Sequence, residues 1–279
     1  MPSEFSICIP VLSEKYIRKC LDSIFRNKFH DFEVIVNDSS DDFYVSDLIS
    51  EYDIKIIKKK TKSFESRMVT VLASSGSRIL ILDDTRLVTN TLLEKLNKMP
   101  EDMIVIGETD IGNGFLARLS NLDKKALSRN EIKLNPIENK SVIPRLYNSK
   151  IIVKALKRIQ TFLSTEMIRN IVGLDLEIIY YEAFRISQSI GILSSPEIMH
   201  YGDETFRSVI EKYYKYGFTQ RMLKNTVYSE LANIAGRNRS GYPLAGRILT
   251  LPLQVIRGVP FTLGYISGGN QLAENKMLD

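Results

Sequence analysis

The chain has 279 residues, 44% of them hydrophobic and 25% charged, a globular balance that excludes a disordered tail, a collagen and a coiled coil. Cys8 and Cys20 are the only cysteines, so a disulfide framework and a four-cysteine zinc site are excluded, and both sit at apolar positions as core residues. The formal charge of +5 and the pI near 9.0 suit an anionic partner: nucleic acid, a phosphorylated small molecule or an acidic membrane surface.

Met1-Pro2-Ser3-Glu4 leads directly into an apolar strand, which predicts no export signal. Phe5, Ile7 and Ile9 mark that strand over residues 5–10. The period then changes: Ile17, Cys20, Leu21, Ile24 and Phe25 fall on one face of a helix that Ser13 is placed to cap. Residues 32–36 are a second strand, closed by Asn37-Asp38-Ser39-Ser40-Asp41-Asp42, so the start is a βαβ unit. A strand at 54–57, a helix through Met68 and Leu72, and the wholly apolar run 79–82 follow. That run predicts a central strand covered on both faces. A short helix over Leu92, Leu93 and Leu96 and a strand at 103–106 extend the parallel sheet to about residue 107.

Residues 108–140 read as a long irregular connection. Residues 142–147 read as an edge strand because of Pro144. Helices are expected at about 150–163, 174–187 and 204–216, before a basic, partly apolar tail. No apolar run reaches the ~20 residues a bilayer span needs, since Arg247, Pro252, Arg257 and Pro260 interrupt the greasiest stretch.

In a doubly wound sheet, ligands bind beyond the carboxyl ends of the strands. Three such ends carry distinctive residues: 10–14, 37–42 and 83–85. Asp, Ser and Asn are also ordinary turn and cap residues, but all three clusters fall on the same edge. Neither a P-loop nor a dinucleotide fingerprint is present. Adjacent carboxylates at a strand end offer another phosphate device, because hard oxygen ligands hold Mg²⁺ or Mn²⁺, which in turn binds phosphates.

Ser6-Ile7-Cys8-Ile9-Pro10 with Glu14, Cys20-Leu21-Asp22-Ser23-Ile24, Phe32 to Asp38 with Ser40, and Gly76 to Asp84 occur in the order and spacing of a known family. Over about residues 5–95 the chain resembles the nucleotide-sugar-binding half of family 2 glycosyltransferases, which implies the α/β GT-A fold: a central, mostly parallel sheet flanked by helices. The resemblance implies that Pro10, Leu12 and Glu14 border the nucleotide of a nucleoside diphosphate sugar and that Asp38 contacts its base. It further implies that Arg67 contacts the donor, and that Asp83 and Asp84 stand at the family's D-x-D signature. Thr85 occupies the third signature position, so the Mn²⁺ or Mg²⁺ site falls to Asp84, and Asn37 replaces the first acid of the usual pair.

Further on, Gly173-Leu174-Asp175-Leu176 stands where many members carry a Glu-Asp pair, which implies Asp175 as catalytic base, with Glu177 in reserve. A first-turn Asp also has a plain role against the helix dipole. His200 stands where the family often has a histidine reaching the metal or diphosphate, although a lone histidine is commonly structural; His30 sits in a surface connection.

The tail reads as a helix over 244–257. Arg247, Thr250, Gln254 and Arg257 gather with Gly246 on one narrow arc, and the rest is apolar. Either this helix packs on the domain or, with Arg237 and Arg239, it lies in an anionic headgroup region through residues 237–266.

These observations predict a GT-A catalytic domain at 1–217, with a nucleotide-binding half at 1–107 and an acceptor half at 108–217, and a helical, amphipathic extension at 218–279. The expected activity is inverting transfer from GDP-mannose or a UDP-sugar to an acceptor hydroxyl. The expected acceptor is a glycan carried on a lipid at the cytoplasmic face of a membrane, with the enzyme peripherally attached. Nucleic acid is disfavoured, because the ligand-bearing strand ends are acidic. A sugar-phosphate nucleotidyltransferase is a rival reading, but the loop at 10–14 has no glycine. A non-catalytic interaction protein on a degenerate transferase fold is the other.

Overall fold

The computed structural model describes residues 3–112, 114, 116, 118–121, 133–139, 142–202, 205–233 and 244–276, without the side chains at 233, 244–250 and 269–276. Arg237, Arg239 and the side chain of Arg247 therefore lie outside the described residues.

The alternation read from the sequence folds as β1 (Phe5–Val11), α1 (Ile17–Phe25), β2 (Phe32–Asp38), α2 (Tyr44–Leu48), β3 (Lys55–Lys58), α3 (Ser63–Leu72) and β4 (Arg78–Ile81). Helix α1 buries Ile17, Cys20, Leu21 and Ile24, the face its spacing predicted. Ser13 does not cap it: the helix begins after Tyr16, with no side-chain cap. Strand β1 runs parallel to both β2 and β4, and β2 runs parallel to β3. Both faces of the 79–82 run are buried, which explains its lack of polar alternation. Cys8 and Cys20 are buried free thiols, and burial pushes Cys8 up to about 12.

The chain continues with β5 (Arg86–Val88), α4 (Leu92–Asn97), β6 (Met103–Ile111), β7 (Leu146–Asn148), α5 (Ser149–Phe162), α6 (Thr165–Asn170), α7 (Asp175–Phe184) and β8 (Ile190–Tyr201). The eight-stranded sheet has the order β3-β2-β1-β4-β7-β6-β8-β5. Three sequence expectations change here. Strand β6 is nine residues long and pairs antiparallel with β7 rather than extending the parallel ladder. Strand β7 lies between β4 and β6, not at an edge, because Pro144 precedes the ladder instead of entering it. Strand β8 was not anticipated, since Ser194, Ser195 and Pro196 break its apolar alternation; it pairs antiparallel with β5.

The chain divides into two compact units. The first comprises Met1–Thr109, Ile143–Arg169 and Ile179–His200; the second comprises Asp110–Val142, Asn170–Ile178 and Tyr201–Asp279. Within the second unit, α8 (Phe206–Leu223) and α10 (Leu244–Lys276) follow, with the short α9 (Ser229–Asn233) between them in sequence. Tyr213 meets Arg257, Gly217 meets Phe261 and Arg221 meets Tyr265, so α8 and α10 run parallel.

Two glycines set the spacing of this pair. A Cβ on Gly217 would lie 1.9 Å from the Phe261 carbonyl oxygen, and one on Gly264 would lie 1.9 Å from that of Tyr214. Backbone cannot give way as a side-chain tip can, so Gly264→Ala is expected to lower stability by ~1–3 kcal/mol despite alanine's better helix propensity. Gly258, on the same helix, has open space at its Cβ position, and Gly258→Ala is expected to raise stability by up to ~1 kcal/mol. Thermal melts of the two variants check both signs, and equal shifts would contradict the close approach.

Candidate functional site

The carboxyl ends of β1, β2 and β4 carry Pro10, Leu12, Glu14, Asp38, Asp83 and Asp84, while Arg67 comes from α3 and His200 from β8. Pro10 is paired with Asn37 near the end of β1, and Leu12 just beyond is 62% exposed. Glu14 is exposed and accepts a hydrogen bond from the Tyr44 hydroxyl, which holds its carboxyl below the usual range. Immediately before Tyr44 the chain turns tightly: Asp42 and Phe43 take consecutive left-handed conformations (φ 49° and 55°), a strained arrangement of the kind found at functional loops.

Asp38 ends β2 and is fully buried. Its carboxylate accepts from the Ser40 amide at 2.8 Å, the Ser46 amide at 2.7 Å and the Ser46 hydroxyl at 2.6 Å. Burial works to raise its pKa, but these donors outweigh it and hold the group below its ordinary value. Asp38 thus ties the β2 turn to α2. The neighbouring Asn37 amide donates within a buried polar cluster of Ser39, Thr61 and Ser66.

The end of β4 is an ion network. Arg67, from α3, and Arg86, from β5, each pair with Asp83. Arg145 stands 3.8 Å from Asp83 and donates to Glu108 at 2.8 Å, and Arg86 reaches Glu108 at 3.4 Å. Burial opposes ionisation of Asp83, yet Arg67, Arg86, Arg145 and His200 together hold it well below the usual carboxylate range. Asp84 is the opposite case: burial first, then the charge of Asp83, push it up to about 7. Among the described residues Asp84 forms no ion pair. The sequence reading missed Arg86, Glu108 and Arg145: Glu108 and Arg145 meet across strands that only the fold brings together, whereas Arg86 stands three residues after Asp83. The i,i+3 spacing of Asp83 and Arg86 was the local signal for that pair; for the other two, a charged residue just after Pro144 and another just after Gly107 were the local hints.

His200 lies opposite Arg86 in the β5–β8 ladder, and Arg86 follows Asp84 by two residues. Among the described residues no group of three His, Cys, Asp or Glu side chains is arranged to hold a metal alone. A Mg²⁺ or Mn²⁺ ion needs less from the protein, because it takes one or two carboxylates and completes its shell with water and substrate phosphates. Asp84, a half-buried carboxylate outside the ion pairs that hold Asp83, fits that part.

In the second unit, Asp175 begins α7 and is 5% exposed. The two residues before it, Gly173 and Leu174, have φ of 69° and 73°. Glycine suits that conformation, and any side chain on Gly173 would strike the Tyr216 ring. Leu174 holds the same region at a cost of order 1–3 kcal/mol, strain placed directly before the candidate base.

No curated protein sequence matches the chain. Solved structures do match in fold. TarS 1–349 from S. aureus aligns at 18% identity and a TM-score of 0.54, with 80% of this chain and 66% of that chain covered. The chain thus spans about two thirds of TarS 1–349 in that alignment. TarS 1–349 in complex with UDP-GlcNAc aligns at 18% identity and 0.56, covering 94% of this chain and 81% of that one. The mannosyltransferase PcManGT from Pyrobaculum calidifontis, in complex with GDP-Man and Mn²⁺, aligns at 13% and 0.50, covering 100% and 81%. At such identities the likeness shows the fold, which is that of GT-A glycosyltransferases. The family itself is shown by a sequence model for glycosyl transferase family 2 that matches residues 6–149, just over half of the chain, and the protein belongs to that family.

Proposed function

We propose that the protein is an inverting glycosyltransferase that moves one sugar from a nucleoside diphosphate sugar to an acceptor hydroxyl. The observation that carries this reading is the end of β4, where three arginines consume Asp83 and leave Asp84 without an ion pair. In this reading Pro10, Leu12 and Glu14 border the nucleotide, and Asp38 shapes the turn beside the base. Arg67 and Asp83 brace the strand end, while Asp84 and His200 hold Mg²⁺ or Mn²⁺. The bound cation supplies charge neutralisation for the diphosphate leaving group.

The chemistry left to the chain is proton transfer. The acceptor oxygen forms a bond to the anomeric carbon as the bond to the diphosphate breaks, its electron pair leaving with the phosphate. Asp175 takes the acceptor's proton, and Glu177 is the reserve. General-base assistance of this kind contributes about 10²- to 10⁴-fold.

GDP-mannose and UDP-sugars are the donor classes proposed, in keeping with the GDP-Man and UDP-GlcNAc bound in the two structural neighbours. The proposed acceptor is a glycan carried on a lipid, with the enzyme attached peripherally to the cytoplasmic face of the membrane through residues 237–266. Calorimetric titration with UDP and GDP, each with and without Mn²⁺, tests the core of the reading. Metal-dependent binding of one nucleotide is expected; its absence for both would overturn the transferase assignment.

A further inference from the structure

The helix at 244–276 exists, and the described residues of the polar arc read from its sequence, Gln254 and Arg257, are partly covered rather than turned to water. The Arg257 guanidinium lies over the Tyr213 ring of α8 at 5.4 Å. Leu253 is buried with Val209, Leu116 and Leu119, and Pro260 and Gly264 are buried as well. Packing against α8 has therefore taken the polar side and turned the apolar side outward.

Between residues 251 and 268 eight residues are exposed, and none is charged. Leu251, Val255, Val259, Leu263 and Ile266 are each 55–57% exposed. Their spacing of three to four residues puts them on one stripe about 22 Å long at 1.5 Å per residue. A water-facing helix face normally carries charge, and an uncharged stripe of this length marks a contact with something apolar.

Charge decides between the candidate partners. Residues 206–279 contain ten Lys and Arg against four Asp and Glu, a net charge of +6, whereas the preceding 205 residues carry a net −1. The whole basic excess of the chain thus belongs to the segment that presents the stripe. On α8, Arg207, Lys215 and the acid Glu211 are exposed along the same helix as the exposed side chains Phe206, Ile210 and Tyr214. A second copy on the same face would bring a +6 segment against its like, which an isologous interface cannot avoid. An anionic lipid surface offers apolar depth and opposite charge together. Among the described residues no helix is long and apolar enough to cross a membrane, which leaves the in-plane arrangement.

We propose that the uncharged stripe Leu251, Val255, Val259, Leu263 and Ile266 of α10 lies in the plane of an anionic bilayer surface and docks the protein there. This rests on the membrane part of the proposed function and is independent of its transfer chemistry.

The test is flotation of the full chain with vesicles of phosphatidylglycerol and phosphatidylcholine, against vesicles of phosphatidylcholine alone. The wild type is expected to float with the anionic vesicles and to lose binding as salt is raised. Val255→Asp/Val259→Asp is expected to cut partitioning at least tenfold with an unchanged melting temperature. Should the charged pair lower that temperature, the near-isosteric Val255→Thr/Val259→Thr serves instead, with a several-fold loss expected. Failure of the wild type to float would overturn the membrane reading and this inference together. Floating of the charged variant like wild type would overturn the stripe alone. A vesicle-free dimer that the charged variant splits into monomers would assign the stripe to a second copy.

Discussion

Asp175→Asn is expected to leave nucleotide binding unchanged and to lower the turnover number by about 10²- to 10⁴-fold, the usual worth of a general base. Asparagine reproduces the size and hydrogen-bonding outline of aspartate but has no basic oxygen to accept the acceptor's proton. The substitution also removes a negative charge from the first turn of α7, which costs ~0.3–1 kcal/mol of stability through the helix dipole. A loss that small cannot imitate the kinetic effect. The residues proposed to bind the nucleotide belong to the first compact unit and Asp175 to the second, so the two functions should separate in the measurements: calorimetry for nucleotide affinity, initial rates for turnover. If turnover stays within tenfold of wild type, Asp175 is not the base, and Glu177→Gln becomes the next variant to measure.

The first hundred residues were legible because their structure is local. Each strand from β1 to β4 declares itself through a short apolar run, and α1 through a 3.6-residue period, so the βαβ path and the strand ends holding Glu14, Asp38, Asp83 and Asp84 could be placed before any contact was known. Beyond residue 107 the signals depended on partners far along the chain. Strand β7 has only three residues, and its place between β4 and β6 is decided by their ladders. Strand β8 contains Pro196 and two serines, and its pairing with β5 brings His200 opposite Arg86.

The side chains around Asp83 show the same division. Arg67 was singled out by resemblance, as the match to the arginine that the family carries on the helix before the acidic strand end, whereas Glu108 and Arg145 meet across 37 residues of sequence. In the tail, the helical wheel identified a polar arc and an apolar remainder but not which would face outward. That choice belongs to α8, whose Gly217 admits the α10 backbone at close range and whose Tyr213 receives Arg257. A wheel computed for one helix contains no information about its neighbour.

Arg145→Ala is expected to destabilise the protein by ~3–5 kcal/mol, because removing one member of a buried ion network strands its partners in a medium that solvates them poorly. The arginine side chain is 9% exposed, and it serves two acids, Glu108 at 2.8 Å and Asp83 at 3.8 Å. Glu108 would lose its shortest arginine contact and keep the longer 3.4 Å contacts with Arg86. Asp83 would keep Arg67 and Arg86 but lose one of the charges that oppose its burial, so its folded pKa would rise. The sign follows from linkage. A carboxylate whose folded pKa is depressed contributes stability that is present above its unfolded pKa and lost as pH falls through the folded value. Raising the folded value makes that loss begin at a higher pH, so the acid-unfolding midpoint of the variant should move upward. Thermal melts at neutral pH should show a drop of about 10 °C, given ~2–4 °C per kcal/mol for a domain of this size. The double variant Arg145→Ala/Glu108→Ala supplies the discriminating measurement. If the pair is coupled, removing Glu108 as well discards the stranded charge, and the double variant should cost less than the two single changes together by ~0.5–3 kcal/mol. Strict additivity, or an Arg145→Ala cost below ~1 kcal/mol, would mean that water reaches this strand end and that Asp83 does not depend on the network around it.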